Sequence, residues 1–141
     1  MKILLTVLLT VLFVLPVTAT AEVDVWKFAN QATMFWNAPE KMSNGEPITD
    51  AIEYVVYIKD VNGIVTEVDD SVVEMAYTFT FLIEGDFIPG VAAMRKDING
   101  LEISRSFISW GDDPEVTENG QTFGIRYRYT FNMPSNLRPS E

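Results

Sequence analysis

Apolar and polar side chains alternate along the chain in short runs separated by turn-forming residues. Within residues 31–37, Ala32, Met34 and Trp36 fall on one face, because successive side chains of a strand point to opposite sides. Residues 52–59 show the same two-residue period and are rich in β-branched and aromatic side chains. A short first strand is expected within residues 22–28. The mature part shows no 3.6-residue helical period, so the pattern predicts an all-β domain of short antiparallel strands.

Asparagine–glycine pairs mark the predicted turns. Asparagine is followed by glycine at Asn44, Asn62, Asn99 and Asn119. This dipeptide between β-prone runs is the strongest short hairpin signal, and residues 119–120 therefore predict a further hairpin. The sequence K-D-V-N-G-I at 59–64 resembles K-D-I-N-G-L at 96–101. We interpret the two as one turn used twice, since each offers too few oxygen ligands for a calcium loop. Frequent turns between short strands favour a β-sandwich.

The first 21 residues are typical of a signal peptide. Lys2 precedes an apolar run over 3–15, Pro16 ends it, and Ala-Thr-Ala at 19–21 fits the small-x-small cleavage pattern. The run is shorter than the ~20 residues of an ordinary membrane span. We therefore predict cleavage after Ala21, only transient contact with the membrane, and a secreted, periplasmic or cell-surface location. An uncleaved N-terminal anchor remains the alternative.

The remaining 120 residues are enough for one domain and carry 9 basic against 20 acidic residues, a net charge of −11. This charge opposes a phosphate backbone, so the composition argues against nucleic-acid binding. Solubility alone accounts for the acidity.

The absence of histidine and cysteine from the sequence restricts its chemistry. It removes the commonest general base and the commonest transition-metal ligand. The acidic pairs Asp69–Asp70 and Asp112–Asp113 are candidate catalytic carboxylates, but adjacent strand residues point to opposite faces. Calcium at Asp112, Asp113 and Glu115 is the weaker metal alternative. We expect solvated acids, no enzyme, no cofactor and no metal.

Several landmarks in order resemble a fibronectin type III domain. Trp36 closes the second strand, and P-I-T-D-A-I-E-Y leads to Tyr54 on the third. The later landmarks are Tyr77-x-Phe79-x-x-Leu82, Phe87-x-x-x-Val91-x-Ala93, and G-L-E-I-S-x-S over residues 100–106. The resemblance covers residues 32–110, and small exported single-domain proteins of bacteria and their phages look especially similar. It implies an immunoglobulin-like antiparallel sandwich in which the tryptophan packs under the tyrosine and the second and fifth strands are neighbours.

The sequence departs from the family pattern in the sixth strand and beyond it. Phe87 replaces the usual tyrosine, and Pro89 removes a ladder donor, which suggests a bulge. The family domain does not require the residues after Trp110. We therefore divide the chain into a signal peptide at 1–21, a fibronectin type III-like domain at 22–111, and a C-terminal β-hairpin or strand extension with tail at 112–141.

The extension contains a long amphipathic run. Phe123, Ile125, Tyr127, Tyr129 and Phe131 alternate with a second set that includes Arg126 and Arg128. A strand over 121–131 could dock on its own domain with Arg126 and Arg128 in solvent, or it could pair with a partner. We favour the lid, because Phe35 and Phe81 are both expected to face outward and monomers avoid such exposed patches.

The resemblance also places two loops, 40–47 and 95–100, at one end of the sandwich, where the family often binds partners. Candidate partner-binding residues are Lys41 and Met42, Arg95 and Lys96, and Arg126 and Arg128 of the extension. We expect an exported, non-catalytic binding or adhesion module with a protein or glycan ligand. The alternative is a structural subunit of a cell-surface or phage virion assembly, joined through the C-terminal strand. The sequence leaves the oligomeric state open.

Overall fold

Strands account for nearly all regular structure in residues 22–130 and residue 139, which are the residues described by the computed structural model. The signal-peptide prediction lies outside them. The strands are β1 Val25–Phe28, β2 Gln31–Phe35, β3 Ala51–Asp60, β4 Val65–Val72, β5 Ala76–Thr80, β6 Gly85–Lys96, β7 Glu102–Arg105, β8 Ser109–Trp110 and β9 Phe123–Tyr127, with one 3-10 turn at Glu118–Gly120. Within the described part, no helix is long and apolar enough to cross a membrane.

Two sheets of unequal size form a sandwich. The large sheet has the order β1-β9-β6-β3-β4, with β7 and β8 also paired to β6, and the small sheet holds only β2 and β5. The predicted all-β sandwich is confirmed, and so is the pairing of the second and fifth strands. The expectation of purely antiparallel strands is wrong in one place, because β1 pairs with β9 in parallel.

The main core lies between the sheets. Its buried members are Ala32, Met34, Tyr54, Val56, Val72, Phe79, Phe81 and Ile125. Trp36 and Tyr54 meet edge to face with ring centroids 5.2 Å apart, as predicted. Tyr54 is buried, whereas Trp36 is only half-buried. The predicted aromatic anchor is thus present, with one side of the indole left uncovered.

The end of β5 differs from the expectation. Phe81 is 6% exposed and stacks on Phe87, with ring centroids 4.6 Å apart. It keeps the two-residue period of Tyr77 and Phe79, so it faces the core and does not face outward. Leu82, the last landmark of the Tyr77-x-Phe79-x-x-Leu82 pattern, is 80% exposed.

One edge of β6 is shared by the last three strands. The consecutive strands β7 and β8 pair with the second half of β6, and β9 pairs with the start of β6. Gly111 and Phe123 are adjacent in space, since the Phe123 N–H donates to the Gly111 carbonyl at 2.8 Å. Residues 112–122 therefore form a loop that interrupts one strand, whose two parts are β8 and β9, along this edge of β6. The predicted boundary at 111/112 falls inside this sheet, and β9 is one of its integral strands.

Pro89 lies opposite the interruption between β8 and β9. Its carbonyl accepts the Gly111 N–H at 2.9 Å, so its missing N–H would point to the same edge, between β8 and β9. Among the described residues, no strand residue lies opposite Pro89 on that side of β6, so no backbone hydrogen bond is lost through its missing N–H. The register between β3 and β6 runs without a shift from Ala51 opposite Lys96 to Asp60 opposite Phe87, so the predicted bulge is wrong.

The two related turns have the same geometry. The Asp60 carboxylate accepts the N–H groups of Asn62 and Ile64, and the corresponding bonds recur at Asp97. Gly63 and Gly100 both have a backbone φ of +78°, a conformation that residues with a side chain rarely adopt. The prediction that residues 59–64 and 96–101 form the same type of turn is confirmed. The hairpin predicted at residues 119–120 is wrong, because they lie in the 3-10 turn of the 112–122 loop.

A second cluster covers the outer face of the large sheet. Val55, Tyr57, Ala92 and Met94 are buried there beneath Ile108 and Trp110. Trp110 lies flat on Gly90, where a β-carbon would come within 2.4 Å of its ring. The large sheet is thus packed on both faces.

Candidate functional site

The two predicted binding loops do lie at one end of the sandwich, because Ala51 pairs with Lys96. Lys41 forms an isolated bridge with Pro47, and the Met42 N–H donates to the Glu46 carbonyl at 2.8 Å. Lys41 is exposed and Met42 is half-buried. The loop at 40–47 is therefore closed on itself by main-chain bonds.

The cations of the second loop are held by acids of the same chain. Arg95 donates through Nε and Nη2 to one oxygen of Asp50, at 2.9 and 2.6 Å. Lys96 pairs with Glu53. Both cations are half-buried, so neither is available to a partner without breaking an ion pair.

Arg126 and Arg128 converge on a single carboxylate. Arg126 makes two bonds to Asp86 at 2.9 and 2.7 Å, and Arg128 adds a third at 2.7 Å. The Arg126 guanidinium also lies 4.5 Å from the ring centroid of Trp26. Hydrogen bonding from Arg126, assisted by Arg128, lowers the pKa of Asp86 although burial opposes the shift. The expectation that both arginines lie in solvent is confirmed for Arg128, which is exposed, and is wrong for Arg126, which is half-buried. Both are ion-pair partners of Asp86.

The acidic candidates also have partners within the fold. Asp112 accepts from the Lys59 ammonium at 2.8 Å, and Asp113 accepts the Glu115 N–H at 2.9 Å. Asp69 accepts the Ser71 N–H at 3.1 Å. Among the residues that the structure describes, no group of three or more acids could hold a metal ion.

A long groove opens along one side of the sandwich. It has a volume of about 1080 Å³ and lies between the second half of β2 on one sheet and β8 with the 112–122 loop on the other. Its walls include Met34, Trp36, Tyr54, Val91, Phe107 and Phe123. We call this space the side groove. It exists because the small sheet has no third strand beside β2 within the described fold.

The main chain of β2 presents unused hydrogen-bonding groups to the side groove. The Trp36 N–H donates to the Met75 carbonyl, and the Asn30 carbonyl accepts the Phe81 N–H. The main-chain N–H and C=O groups of the even-numbered residues of β2 thus point toward β5. The N–H and C=O groups of Gln31, Thr33 and Phe35 must then point to the open edge, since they alternate along an antiparallel strand. β2 contains no charged residue and no proline, the usual protections of an exposed edge.

Two buried polar atoms in the groove walls lack partners. Among the described residues, the Trp36 indole N–H and the Thr117 hydroxyl make no hydrogen bond. Burial raises the pKa of Tyr54, and the neighbouring Trp36 indole offsets part of that rise, although the geometry falls short of a hydrogen bond. Leaving a buried donor unpaired costs about 1–3 kcal/mol, so an added acceptor here would be stabilising.

Large apolar side chains remain exposed at the rim of the groove. Phe35 is 76% exposed and Phe107 is 98% exposed. The lid expected over Phe35 and Phe81 is therefore wrong: Phe81 is in the core, and β9 lies in the large sheet. Of the strand predicted over residues 121–131, the part at Phe123–Tyr127 is present as β9, with Phe123, Ile125 and Tyr127 packed toward the core. Sequence reasoning missed the groove; the uncharged run Q-A-T-M-F ending in an outward phenylalanine is the signal that could have found it.

Comparison with family models, with curated proteins and with solved structures finds no match to this chain.

Proposed function

We propose that this chain is an exported, non-catalytic binding module with a fibronectin type III-like sandwich. The β2–β5 pairing and the Trp36–Tyr54 contact support the family likeness, because both occur where the resemblance puts them. Export rests on the leader at residues 1–21. N-terminal sequencing of the secreted protein tests it: we expect the chain to begin at Glu22, and a membrane-bound chain that retains Met1 contradicts export.

The ligand that suits the side groove is an extended segment of another protein. The carrying observation is the open edge of β2, with three residues whose N–H and C=O groups have no strand partner among the described residues. A segment that adds to such an edge gains main-chain hydrogen bonds, while alternate side chains enter the groove and supply specificity. Trp36 and Phe123 line the groove and provide apolar surface for these side chains to pack against.

Charge restricts the ligand further. With a net charge of −11 after removal of the leader, the module repels acidic segments and favours uncharged or basic ones. The six residues predicted to contact a partner are less suited than β2, because four of the five cations among them are held in ion pairs. A glycan ligand would leave the main-chain groups of Gln31, Thr33 and Phe35 unused.

The rival function is an assembly subunit joined through its C-terminal strand. Both edges of β9 are already occupied, by β6 and by β1. An assembly would therefore have to use the edge of β2 or of another outer strand. Light scattering after size exclusion separates the two functions: we expect a monomer, and a concentration-independent oligomer favours the subunit.

Selection of peptides tests the binding mode. A library of random nine-residue peptides is selected on immobilised protein, and the best peptide is resynthesised with N-methyl groups at odd or at even positions. Only one set should abolish binding, since alternate N–H groups of an added strand face β2. Amide exchange at Thr33 and Phe35 should slow on binding.

Two substitutions complete the test. Phe35→Asp should abolish peptide binding, because it places a charge on the edge. Ile98→Asp is the matched control, since Ile98 is fully exposed at a hairpin tip and does not line the side groove. Equal effects of both substitutions, or equal effects of both N-methyl sets, contradict strand addition.

A further inference from the structure

We propose that one end of the sandwich docks on the surface of a lipid bilayer with neutral headgroups. This end, which we call the base, consists of the turn between β3 and β4 at 61–64, the loop between β5 and β6 at 81–84, Phe28 at the end of β1, and residues 128–130. The inference goes beyond the proposed function, because none of these residues lines the side groove. The sequence predicted membrane contact only through the leader.

Strand register brings these segments to one end of the fold. β3 ends at Asp60, which lies opposite Phe87 near the start of β6. β9 ends at Tyr127, opposite Gly85 at the start of β6. β1 runs parallel to β9 and ends beside it. The base is therefore assembled from segments that are far apart in the sequence.

Large apolar side chains are exposed throughout the base. The aliphatic ones are each between 62% and 80% exposed, and they line neither the side groove nor the cavity formed by residues 28–30 and 126–130. Exposed apolar clusters of this kind mark sites of protein or membrane interaction. The exposed large apolar residues of the base are Phe28, Val61, Ile64, Leu82, Ile83 and Tyr129.

Hydrogen bonds hold these side chains in place. The Tyr129 hydroxyl donates to the Leu82 carbonyl at 3.0 Å, and the Asp60 N–H donates to the Ile64 carbonyl at 3.1 Å. The adjacent side chains of Leu82 and Ile83 are both exposed on this tethered loop. Docking therefore needs little ordering of the backbone, which lowers its entropic cost.

The few charges of the base are satisfied within the fold. Glu84 and Arg128 are the only charged residues in its segments. Glu84 accepts the Tyr129 N–H, and Arg128 donates to Asp86 at 2.7 Å. The flanking Asp60 accepts two N–H groups of its own turn. Little unpaired charge must therefore lose water when the aliphatic side chains enter an apolar medium.

The opposite end of the sandwich has a different surface. Ile98 and Leu101 are exposed there, but Lys96, Asp97 and Glu102 lie in or beside the same hairpin. The loop at 40–47 at that end adds three more charged residues. Exposed aliphatic side chains without intervening charges are thus a property of the base.

The composition of the base favours lipid over a protein partner. Anchor residues of protein interfaces are enriched in tryptophan, tyrosine and arginine, whereas leucine and valine are under-represented. Leucine, isoleucine, valine and phenylalanine transfer favourably into a bilayer, and tyrosine is enriched at its interface. The net charge of −11 after removal of the leader repels an anionic leaflet, so neutral headgroups fit best.

Co-flotation with phosphatidylcholine vesicles tests the docking. The mature chain from Glu22 is used, because the apolar leader would itself bind lipid. We expect this chain to float with the vesicles. Leu82→Ser combined with Ile83→Ser should lower the partition coefficient about tenfold or more, because two aliphatic side chains no longer leave water. Ile98→Ser combined with Leu101→Ser is the matched control, which changes the same residue types at the opposite end and should leave partitioning unchanged.

Tryptophan insertion gives a second readout that does not require the double variant to fold. Vesicles should shift the emission of Leu82→Trp to the blue, and brominated lipid should quench it, relative to the Ile98→Trp control. Equal changes in both variants, or none, contradict lipid contact at the base.

Three results of the flotation experiment overturn the proposal: no flotation of the unsubstituted chain, an equal loss in both serine pairs, or flotation only with phosphatidylglycerol vesicles. Self-association that the Leu82 and Ile83 substitutions abolish would assign the base to a second copy instead of lipid. Binding of the selected peptide should be unchanged by these substitutions, since the side groove does not include the base. The two sites therefore stand or fail separately.

Discussion

Replacing Phe81 by alanine tests the arrangement of the core most sharply, because the structure and the sequence pattern disagree about this residue. The structure buries Phe81 to 6% exposure, between Phe79 and Phe87. The sequence pattern instead predicts an outward Phe81, and strand alternation would then turn the adjacent Leu82 inward, but Leu82 is 80% exposed. The two single substitutions therefore have opposite expected outcomes under the two arrangements.

The magnitude follows from the area that Phe81 buries. An aromatic side chain buries roughly 150–250 Å². At about 25 cal/mol per Å², this corresponds to about 4–6 kcal/mol, an upper bound because the unfolded chain already buries some of that area. Substitutions of buried phenylalanine by alanine cost about 3–5 kcal/mol. We expect about 3–4 kcal/mol for Phe81→Ala, and within ~0.5 kcal/mol of zero for the exposed Leu82→Ala.

Urea unfolding followed by circular dichroism and tryptophan fluorescence measures both free energies. With a slope of about 1.5 kcal/mol per M, a loss of 3 kcal/mol lowers the midpoint by about 2 M. If Phe81→Ala does not fold, Phe81→Leu provides a milder loss in the same direction. A larger loss for Leu82→Ala than for either Phe81 variant would refute the observed core and favour the predicted outward Phe81.

Three further predictions follow from single contacts, and a fourth concerns metal. Trp36→Ala should cost about 3 kcal/mol, whereas Trp36→Phe should cost below ~1 kcal/mol because the indole N–H makes no hydrogen bond in the described fold; equal urea midpoints for the two would contradict this. Because Arg126 and Arg128 lower the pKa of Asp86, its ionised form stabilises the fold above the unfolded-state value of about 3.9, and this contribution is lost as pH falls through the lower folded-state pKa. Thermal melts from pH 7 to 3 should therefore show a weaker acid dependence for Asp86→Asn, and parallel curves would count against it. Gly90→Ala should cost about 1–3 kcal/mol and shift Trp110 emission, since the new β-carbon meets the indole at 2.4 Å; an unchanged melt and spectrum would rule out the stacked contact. A chelator should leave the melting temperature unchanged, and a decrease would reveal a metal.

Local patterns were sufficient to predict much of this fold. The two-residue period of β2 placed Ala32 and Met34 inward, because the alternation of a strand depends only on its own backbone. The Asn-Gly pairs predicted turns, since the positive φ of Gly63 and Gly100 is a local requirement. The Trp36–Tyr54 contact was available through the family resemblance.

The partners of charged side chains were decided by tertiary structure. Arg126 reaches Asp86 across 40 positions of sequence, and Lys59 reaches Asp112 across 53. A sequence pattern shows that such residues are polar but not which opposite charge the strand register brings beside them. Four of the five basic residues predicted to contact a partner were therefore internal ion-pair partners.

The candidate site depended on tertiary structure for the same reason. The run Q-A-T-M-F reads as a strand in isolation, but whether its second edge is paired depends on where other strands settle. β1 joins β9 in the large sheet instead of lying beside β2, and the last strand is interrupted at Gly111 and resumes at Phe123. These two choices leave the side groove open. The sequence by itself determined the all-β class, the inward face of β2 and the paired turns at Asp60 and Asp97, because those depend on neighbouring residues. Only the tertiary structure decided which strand edge was left without a partner, because pairing is a contact between distant segments.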